Sequence, residues 1–311
     1  MKYEILALLP SGSGRPDVAA MSFVDGPGFT AVFVPAKPGF GLGKVLRRNR
    51  LSAAAERQLW LEQLMDTGTV LPFAPGSEID KSDAASLVAA NAETLATLTQ
   101  ELEGCVQYQI TVEWSEALVL ERFRNAPELS PLFAATSVSA ASVASSVARL
   151  AKRLGGEFAA NLRLISQDFA ELPLETGMIF NCVLLIDRDS IEALEAALVE
   201  IDTVWTEGFR IRQVGPSPAT SFATLRLQHQ EADAVERAFQ SLELSVSASE
   251  AHIHESRQRL LRERASDTAR IRSAARLAAA ASKLTSRDRG VYLVNRWSEG
   301  RAAQLEMGQA V

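Results

Sequence analysis

The residues with the clearest potential for chemistry form a glycine-rich loop, Gly39–Lys44. Glycines let backbone amides approach a phosphate, and the lysine that follows can pair with it. The pattern departs from a phosphate-binding loop at two positions, because Pro38 replaces the first loop glycine and Val45 replaces the Ser or Thr that would hold Mg²⁺. A plain loop is the favoured interpretation. A phosphate-handling enzyme is kept as an alternative, which a Lys44→Ala variant would test.

The histidines are poorly placed for a shared metal or for nucleophilic catalysis. His252 and His254 are two residues apart on a predicted helix and point to different faces, whereas an i, i+4 pair would share one. His229 is remote in sequence. Asp187 and Asp189 could bind a cation, but a helix cap with surface charge is the favoured interpretation. We therefore expect no catalytic residues, no metal and no cofactor.

Composition indicates a globular protein that does not bind nucleic acid. The chain has 311 residues, of which 47% are hydrophobic, a formal net charge of -6 and a sequence pI of about 5.3. Phosphate backbones are bound by concentrated Lys and Arg, so the acidic balance argues against a nucleic-acid partner for the whole protein. Cys105 and Cys182 both lie in apolar runs. They predict free thiols in a reducing compartment.

The apolar stretches are too short for export or for a membrane span. The run in Met1–Pro10 ends at its proline, which is too brief for the core of a signal peptide. Ala274–Ala281 is broken by Arg276 and falls short of the roughly 18–20 residues of a spanning helix. We expect a cytoplasmic protein without membrane contact.

Residues 1–103 are predicted to form an N-terminal α+β domain. The β-prone runs Tyr3–Leu9 and Gly28–Val34 predict strands bounded by Gly and Pro. Apolar residues at helical spacing predict one helix from the cap Ser52 to Gly68 and another over Ala84–Leu102. Strands and helices that both carry apolar faces can then share one core.

Residues 104–230 are predicted to form a second domain around an amphipathic strand. Apolar and polar side chains alternate over Cys105–Trp114, which indicates a sheet with one covered face. The elements after it are a helix, a strand, a helix and two strands, at Val138–Leu164, Met178–Ile186, a segment capped by Asp189 or Ser190, Phe209–Val214 and Ser221–Leu227. This order predicts an antiparallel-dominated sheet with both helices on one face, a modified ferredoxin-like fold.

Residues 231–311 are predicted to form a helical extension and C-terminal tail. Arginines outnumber acids over Arg257–Arg276 and alternate with them. A solvated face with i, i+4 ion pairs is the favoured interpretation, and an acidic protein partner is the main alternative. The predicted fold class is therefore α+β, with two domains followed by this extension.

Three stretches together resemble the gas vesicle GvpF/GvpL family. The first, Thr69–Phe73, directly follows a helix and is similar to the family's leucine-proline segment. The second, Leu102–Gly104, leads into the strand Val106–Trp114 as in the family. The family's leucine-proline segment usually continues through an arginine, whereas this chain has Phe73–Gly76, so no role of that arginine can be transferred.

The third stretch is the most specific part of the resemblance. Family members carry an asparagine-led apolar strand that ends near a charged pair, and Phe180–Arg188 is similar to it. A helix follows in both, and then a strand that ends in a glycine-proline turn, here Phe209–Pro218. Ser221 and Phe222 complete the pattern. The order and spacing of these pieces over residues 1–227 carry the resemblance.

The resemblance implies an accessory protein of gas vesicle formation, or a minor vesicle component, with no assigned catalytic residues. It also implies partners, namely the apolar shell protein and other accessory vesicle proteins, and a location at the gas vesicle or in the cytoplasm. A ligand-sensing regulatory module with a ferredoxin-like domain is the alternative. The residues predicted to contact a partner are an apolar set and a polar strand face: Leu71, Pro72 and Phe73, and Gln107, Gln109 and Thr111.

Overall fold

The computed structural model describes residues 3–36, 45–115, 118–285 and 290–299. Over these residues the strands are β1 Tyr3–Pro10, β2 Ser22–Gly26, β3 Phe29–Pro35, β4 Leu71–Pro72, β5 Cys105–Trp114, β6 Asp168–Glu171, β7 Met178–Asp187, β8 Phe209–Ser217, β9 Thr224–Gln230 and β10 Val291–Trp297. The helices are α1 Val45–Met65, α2 Ala84–Ala90, α3 Ala92–Leu102, α4 Val119–Arg122, α5 Ser130–Ala134, α6 Ala140–Ile165, α7 Ile191–Val204, α8 Thr220–Ala223, α9 Ala232–Ser241, α10 Glu250–Glu263 and α11 Thr268–Ser282. This mixture of helices with antiparallel sheets confirms the α+β class. The glycine loop Gly39–Lys44 lies outside the described residues.

One compact unit is built from both ends of the chain, Met1–Glu103 and Ala223–Trp297, and is called the terminal unit below. Its larger sheet has the order β2-β3-β1-β4, and every pair in it is antiparallel. Residues Ile5–Leu9 of the central strand β1 are at most 1% exposed. A continuous apolar run suits such a strand because both of its faces are covered.

The C-terminal helices complete the terminal unit, which differs from the separate extension expected over residues 231–311. Phe239 of α9, Leu260 of α10 and Ala278 of α11 are fully buried in one cluster that also contains Ala90 of α2. An amphipathic helix has to bury its apolar face, and this core receives those faces. The last described strand, β10, pairs antiparallel with β9, so the region predicted as a helical extension and tail also contains a strand.

Asn91 divides the helix predicted over Ala84–Leu102 into α2 and α3. Its side-chain Nδ2 donates to the carbonyl oxygens of Leu87 and Tyr292, both at 2.8 Å. Its Oδ1 accepts from the backbone N–H of Val294 at 2.9 Å. Asn91 is only 4% exposed, so these bonds satisfy an amide that would otherwise be buried without partners. The amide joins the helix break to β10.

The second compact unit, called the central unit below, is formed mainly by Gly104–Phe222. Its sheet has the order β6-β7-β5-β8, with all pairs antiparallel. The strand predicted over Cys105–Trp114 is confirmed as β5. The strand β6 was missed because its four residues show no apolar alternation. The strand expected over Ser221–Leu227 starts later, since Thr220–Ala223 form α8, and the rest of it is the first part of β9, which belongs to the terminal unit.

Helix α6 is the principal helix of the central unit and agrees with the prediction over Val138–Leu164. It begins at Ser139, whose Oγ accepts from the backbone N–H of Ser142 at 3.1 Å. Phe158 on its buried face meets the rings of Phe180 and Phe209 edge-on, at centroid distances of 6.1 and 5.6 Å. These contacts fix α6 against β7 and β8. None of the helices in the described ranges is both long and apolar enough to cross a membrane.

Candidate partner-binding groove

An open groove with a volume of about 1080 Å³ lies along α6 in the central unit and is called the α6 groove below. The opposite side is formed by the segment Leu172–Asn181, which leads from β6 into β7, and Leu174 in it is 57% exposed. The α6 side is a stripe of small and β-branched residues spaced three or four apart: Ala140, Val143, Ala144, Val147, Ala148, Ala151 and Gly155. This spacing places them on one face of the helix.

Two adjacent glycines at the end of this stripe have different environments. A Cβ on Gly155 would lie 2.9 Å from the carbonyl oxygen of Ile179, closer than real Cβ atoms approach backbone. Gly155 therefore allows α6 to pack directly against the start of β7. A Cβ on Gly156 would meet no atom within 4 Å. Only the first of the two glycines is required by packing.

A buried polar network holds the wall of the groove that faces α6. Asn181 donates through Nδ2 to the carbonyl oxygen of Pro173 at 2.9 Å. Its Oδ1 accepts from Nε2 of Gln109 at 3.0 Å and from Oγ1 of Thr111 at 3.3 Å. The backbone N–H of Leu172 also donates to the Asn181 carbonyl at 2.9 Å. The segment that carries the exposed Leu174 is thus tied to β5 and β7 on its inner side.

Charged side chains lie at the rim of the groove. Glu171 lines it and accepts from Arg163 at 2.6 Å, while the Arg163 guanidinium lies 4.5 Å from the centroid of the Phe169 ring. Lys152 also lines the groove and makes no ion pair with any residue that the structure describes. An apolar centre with a polar rim is the usual anatomy of a protein-binding surface.

The structure places the predicted residues Leu71, Pro72 and Phe73 in the core of the terminal unit. Leu71 is 0% and Phe73 1% exposed, and β4 pairs with β1. Arg57 donates to the Phe73 carbonyl oxygen at 2.6 Å and forms an ion pair with Glu4. A direct contact between these apolar side chains and a partner would require the surrounding elements to open.

The predicted polar face of β5 is mostly internal. Gln107 is 7% and Thr111 1% exposed, whereas Gln109 is half-buried. Oε1 of Gln107 accepts from the backbone N–H of Ser221 at 2.8 Å. Alternation alone cannot distinguish a solvated polar face from one satisfied by buried partners. Gln109 and Thr111 reach the candidate site only indirectly, through Asn181 and the wall of the α6 groove.

The histidines and cysteines are not gathered into a site in the described part of the chain. His229 lies on β9, and its ring centroid is 4.6 Å from that of Tyr292. No group of three or more His, Cys, Asp or Glu residues in the described ranges could hold a metal ion. Burial raises the pKa of the Cys182 thiol to about 12 and that of Cys105 to about 11, which keeps both protonated.

The α6 groove was missed by sequence reasoning although α6 itself was predicted. The signal that could have indicated it is the second stripe on α6. The leucines Leu150 and Leu154 form the buried stripe, whereas Ala144 and Ala148 stay exposed on the groove side. The wall of the groove opposite α6 is formed by the end of β6 and the segment after it, and the sequence pattern indicated neither of these.

Two solved structures share the overall α+β fold with antiparallel sheets. The crystal structure of the gas vesicle protein GvpF from Anabaena sp. PCC7120 is 18% identical with a TM-score of 0.52, and the match covers 70% of this chain and 95% of that one. The crystal structure of the gas vesicle protein GvpF from Microcystis aeruginosa is 19% identical with a TM-score of 0.53. That match covers 72% of this chain and 99% of the Microcystis chain. No curated protein matches this chain in sequence. The fold thus places the chain in the class of α+β proteins to which these two structures belong.

The sequence narrows this class to one family. Residues 19–224 match the family model described as gas vesicle synthesis protein GvpL/GvpF. The chain belongs to the GvpL/GvpF family of gas vesicle synthesis proteins, which confirms the resemblance carried by the leucine-proline and asparagine-led segments. Membership assigns the chain a role related to gas vesicles.

Proposed function

We propose that the chain is an accessory protein of gas vesicle formation that binds the small apolar shell protein, together with other accessory proteins, during assembly. The observation that carries this proposal is the apolar α6 groove, which lies between Trp114 and Asn181 and so within the matched residues 19–224. Apolar subunits with exposed strand edges aggregate unless their surfaces are covered. A protein that delivers such subunits needs an apolar surface that is open to a partner.

The dimensions and lining of the α6 groove favour a protein segment as its occupant. Its volume of about 1080 Å³ lies just above the range of small-molecule pockets, which runs from roughly 300 to 1,000 Å³. Exposed Ala144 and Ala148 leave the α6 backbone accessible to close approach, and Leu174 offers an apolar anchor on the other side. We propose that an apolar helix or strand of the shell protein lies between these two walls.

The central unit also supports the finer fold assignment that accompanies this proposal. Its main elements run β5, α6, β6, β7, α7 and β8 along the chain, and the sheet order is β6-β7-β5-β8. Two split β-α-β halves with an antiparallel sheet are the pattern of a ferredoxin-like domain. We propose that the central unit is a modified ferredoxin-like domain, in which α4 and α5 are additions between β5 and α6.

Binding of purified shell protein to the full chain tests the proposed function. The groove variant carries Ala148→Glu and Leu174→Glu, which put a charge on each wall at exposed positions. We expect the Kd for the shell protein to rise by at least about tenfold in this variant, because an apolar partner would have to desolvate both carboxylates. Complementation of a deletion strain should show fewer vesicles in parallel.

The matched control carries Leu164→Glu and Val199→Glu, two exposed positions of the central unit outside the groove lining. Leu164 is 86% and Val199 63% exposed, so the control adds the same two charges without touching the proposed surface. We expect its affinity to equal that of the wild type. Failure of the wild-type chain to retain any vesicle protein would overturn the proposed function. Equal binding by the groove variant and the control would overturn only the assignment of the groove.

A further inference from the structure

A second cavity, of about 480 Å³, lies in the terminal unit and is called the arginine pocket below. Arg257 of α10 and Arg272 and Arg276 of α11 line it. Arg272 and Arg276 are four residues apart, so successive turns of α11 place them on one face. Ile253 and Leu293 also line the pocket and are 3% and 7% exposed, which makes part of the lining buried and apolar.

The guanidinium groups of the arginine pocket are not paired with the two carboxylates that line it, Glu93 and Glu250. Both carboxylates form ion pairs with Lys283 instead, since its Nζ lies 3.1 Å from Oε1 of Glu93 and 3.7 Å from Oε1 of Glu250. Arg257 and Arg272 make no ion pair or hydrogen bond with any residue in the described ranges. The pocket therefore holds guanidinium groups whose charge has no partner among those residues.

Arg276 is held in place without losing its charge. Its Nη1 donates to Oδ1 of Asn295 at 2.6 Å, and its Nη2 donates to the carbonyl oxygen of Val294 at 2.5 Å. Both acceptors are neutral, so they orient the guanidinium and leave its positive charge available. A fixed guanidinium with free N–H groups is suited to bind phosphate or carboxylate oxygens.

Two arginines of the same region that lie outside the pocket, Arg259 and Arg264, are paired. Arg259 donates to Glu243 at 2.8 Å and lies 3.6 Å from Glu263, and Arg264 donates to Glu243 at 2.6 Å. The ion pairs predicted for this arginine-rich segment therefore exist on one part of it, whereas the pocket arginines lack them. On a chain with a net charge of -6, the arginine pocket concentrates positive charge in a concave site.

We propose that the arginine pocket binds a nucleotide-sized phosphorylated small molecule. The phosphate oxygens accept from Arg257, Arg272 and Arg276, and the organic part covers the apolar lining at Ile253 and Leu293. The volume of about 480 Å³ falls within the range of small-molecule sites and suits a compact ligand better than an extended acidic peptide. All three arginines lie beyond residue 224, where the family match ends. The inference is therefore independent of the function proposed for the α6 groove.

Calorimetric titration of the full chain with pyrophosphate and with adenosine monophosphate tests this proposal. We expect saturable binding of one molecule of either probe per chain. Adenosine monophosphate should also bind more tightly than inorganic phosphate, titrated as a reference, because its base covers apolar surface. Arg272→Gln and Arg257→Gln should each raise the Kd by about tenfold or more. Rising salt should weaken binding in every case.

The matched control is Arg259→Gln, which removes a guanidinium from the same helix as Arg257 but not from the pocket. We expect it to bind both probes as the wild type does. Absence of saturable binding, or an equal loss in Arg259→Gln, would overturn the proposal by showing a general counterion effect. Tighter binding of a polyglutamate peptide than of either phosphate probe, lost in Arg272→Gln, would overturn it in favour of an acidic protein segment.

Discussion

Arg57 connects the first strand of the chain to the segment that follows α1. It pairs with Glu4 and donates to the Phe73 carbonyl oxygen, and the two charged side chains are only 13% and 17% exposed. Glu4 Oε1 also accepts from the backbone N–H of Gly76 at 3.0 Å. The leucine-proline segment of this chain is thus fixed by an arginine from the preceding helix.

Replacement of Arg57 by Gln should destabilise the terminal unit strongly. Loss of one partner leaves a mostly buried carboxylate without its ion pair, which costs about 3–5 kcal/mol. Urea unfolding measures the change in the free energy of unfolding. The control is Arg15→Gln, whose pair with Asp25 is 49% and 65% exposed and therefore contributes little to stability. Similar losses in both variants would contradict the structural role of Arg57.

The two thiols should be unreactive at neutral pH. Burial raises the pKa of Cys182 to about 12, and burial together with the charge of Asp187 raises that of Cys105 to about 11. At pH 8 about one Cys105 thiol in a thousand is then a thiolate, the form that reacts. Alkylation by iodoacetamide should be slow in the native protein and should accelerate as pH rises toward 11. Rapid labelling of Cys182 at pH 8 in native protein would contradict its burial.

The hydrogen-bond partners of several buried polar residues could not be predicted from the sequence. Thr111 and Asn181 face one another across β5 and β7, which alternation in each strand cannot reveal because it depends on register. The register of β5 against β7 places the polar side chains of β5 next to Asn181, where they form an internal hydrogen-bond network. Asn91 gives the same lesson, since its amide bonds to β10, about two hundred residues away in sequence.

At the scale of elements, α6 uses two different faces, one to pack against the sheet and one to line the α6 groove. Leucines and Phe158 pack on the sheet, while the stripe of small residues lines the groove. The leucine stripe made the helix predictable from sequence. The function of the other stripe was not predictable, because it depends on a wall contributed by the segment between β6 and β7.

The adjacent glycines of α6 give a matched test of this packing. Gly155→Ala should destabilise the central unit, because its Cβ would lie 2.9 Å from the Ile179 carbonyl oxygen and force helix and strand apart. We expect a loss of about 1–3 kcal/mol. Gly156→Ala, where a Cβ meets nothing within 4 Å, should stabilise α6 by about 0.5–1 kcal/mol. Thermal unfolding would contradict the close contact if both variants shifted Tm upward.

At the scale of the whole molecule, the terminal unit joins residues that are far apart in the chain. Sequence patterns gave correct helices and strands for much of both units, and β5 was predicted residue by residue. Those patterns did not predict that β9, β10 and the helices α9–α11 belong to one compact unit with the N-terminal residues. Apolar faces on α9–α11 indicate that something must cover them, but not which part of the chain does so.

Truncation after Gln230 should therefore damage the N-terminal part of the protein. It removes β10 and α9–α11, which supply Phe239, Leu260 and Ala278 to the core that contains Ala90. We expect loss of cooperative unfolding of the terminal unit and increased binding of a hydrophobic dye. A chain ending at Glu299 keeps every described residue and is the control. Wild-type stability of the shorter chain would show that residues 231–311 form a separate extension.

The discontinuity of the terminal unit also sets an order of events during synthesis. The ribosome releases Met1–Glu103 first, yet the partners of this segment, Ala223–Trp297, emerge only after the whole of Gly104–Phe222. The central unit can fold while translation continues, because its sheet is drawn from one continuous stretch. The nascent N-terminal strands must wait with apolar surface uncovered. The nascent chain thus passes through a stage in which the apolar surface that α9–α11 later cover is exposed, and that stage lasts until β10 has been made.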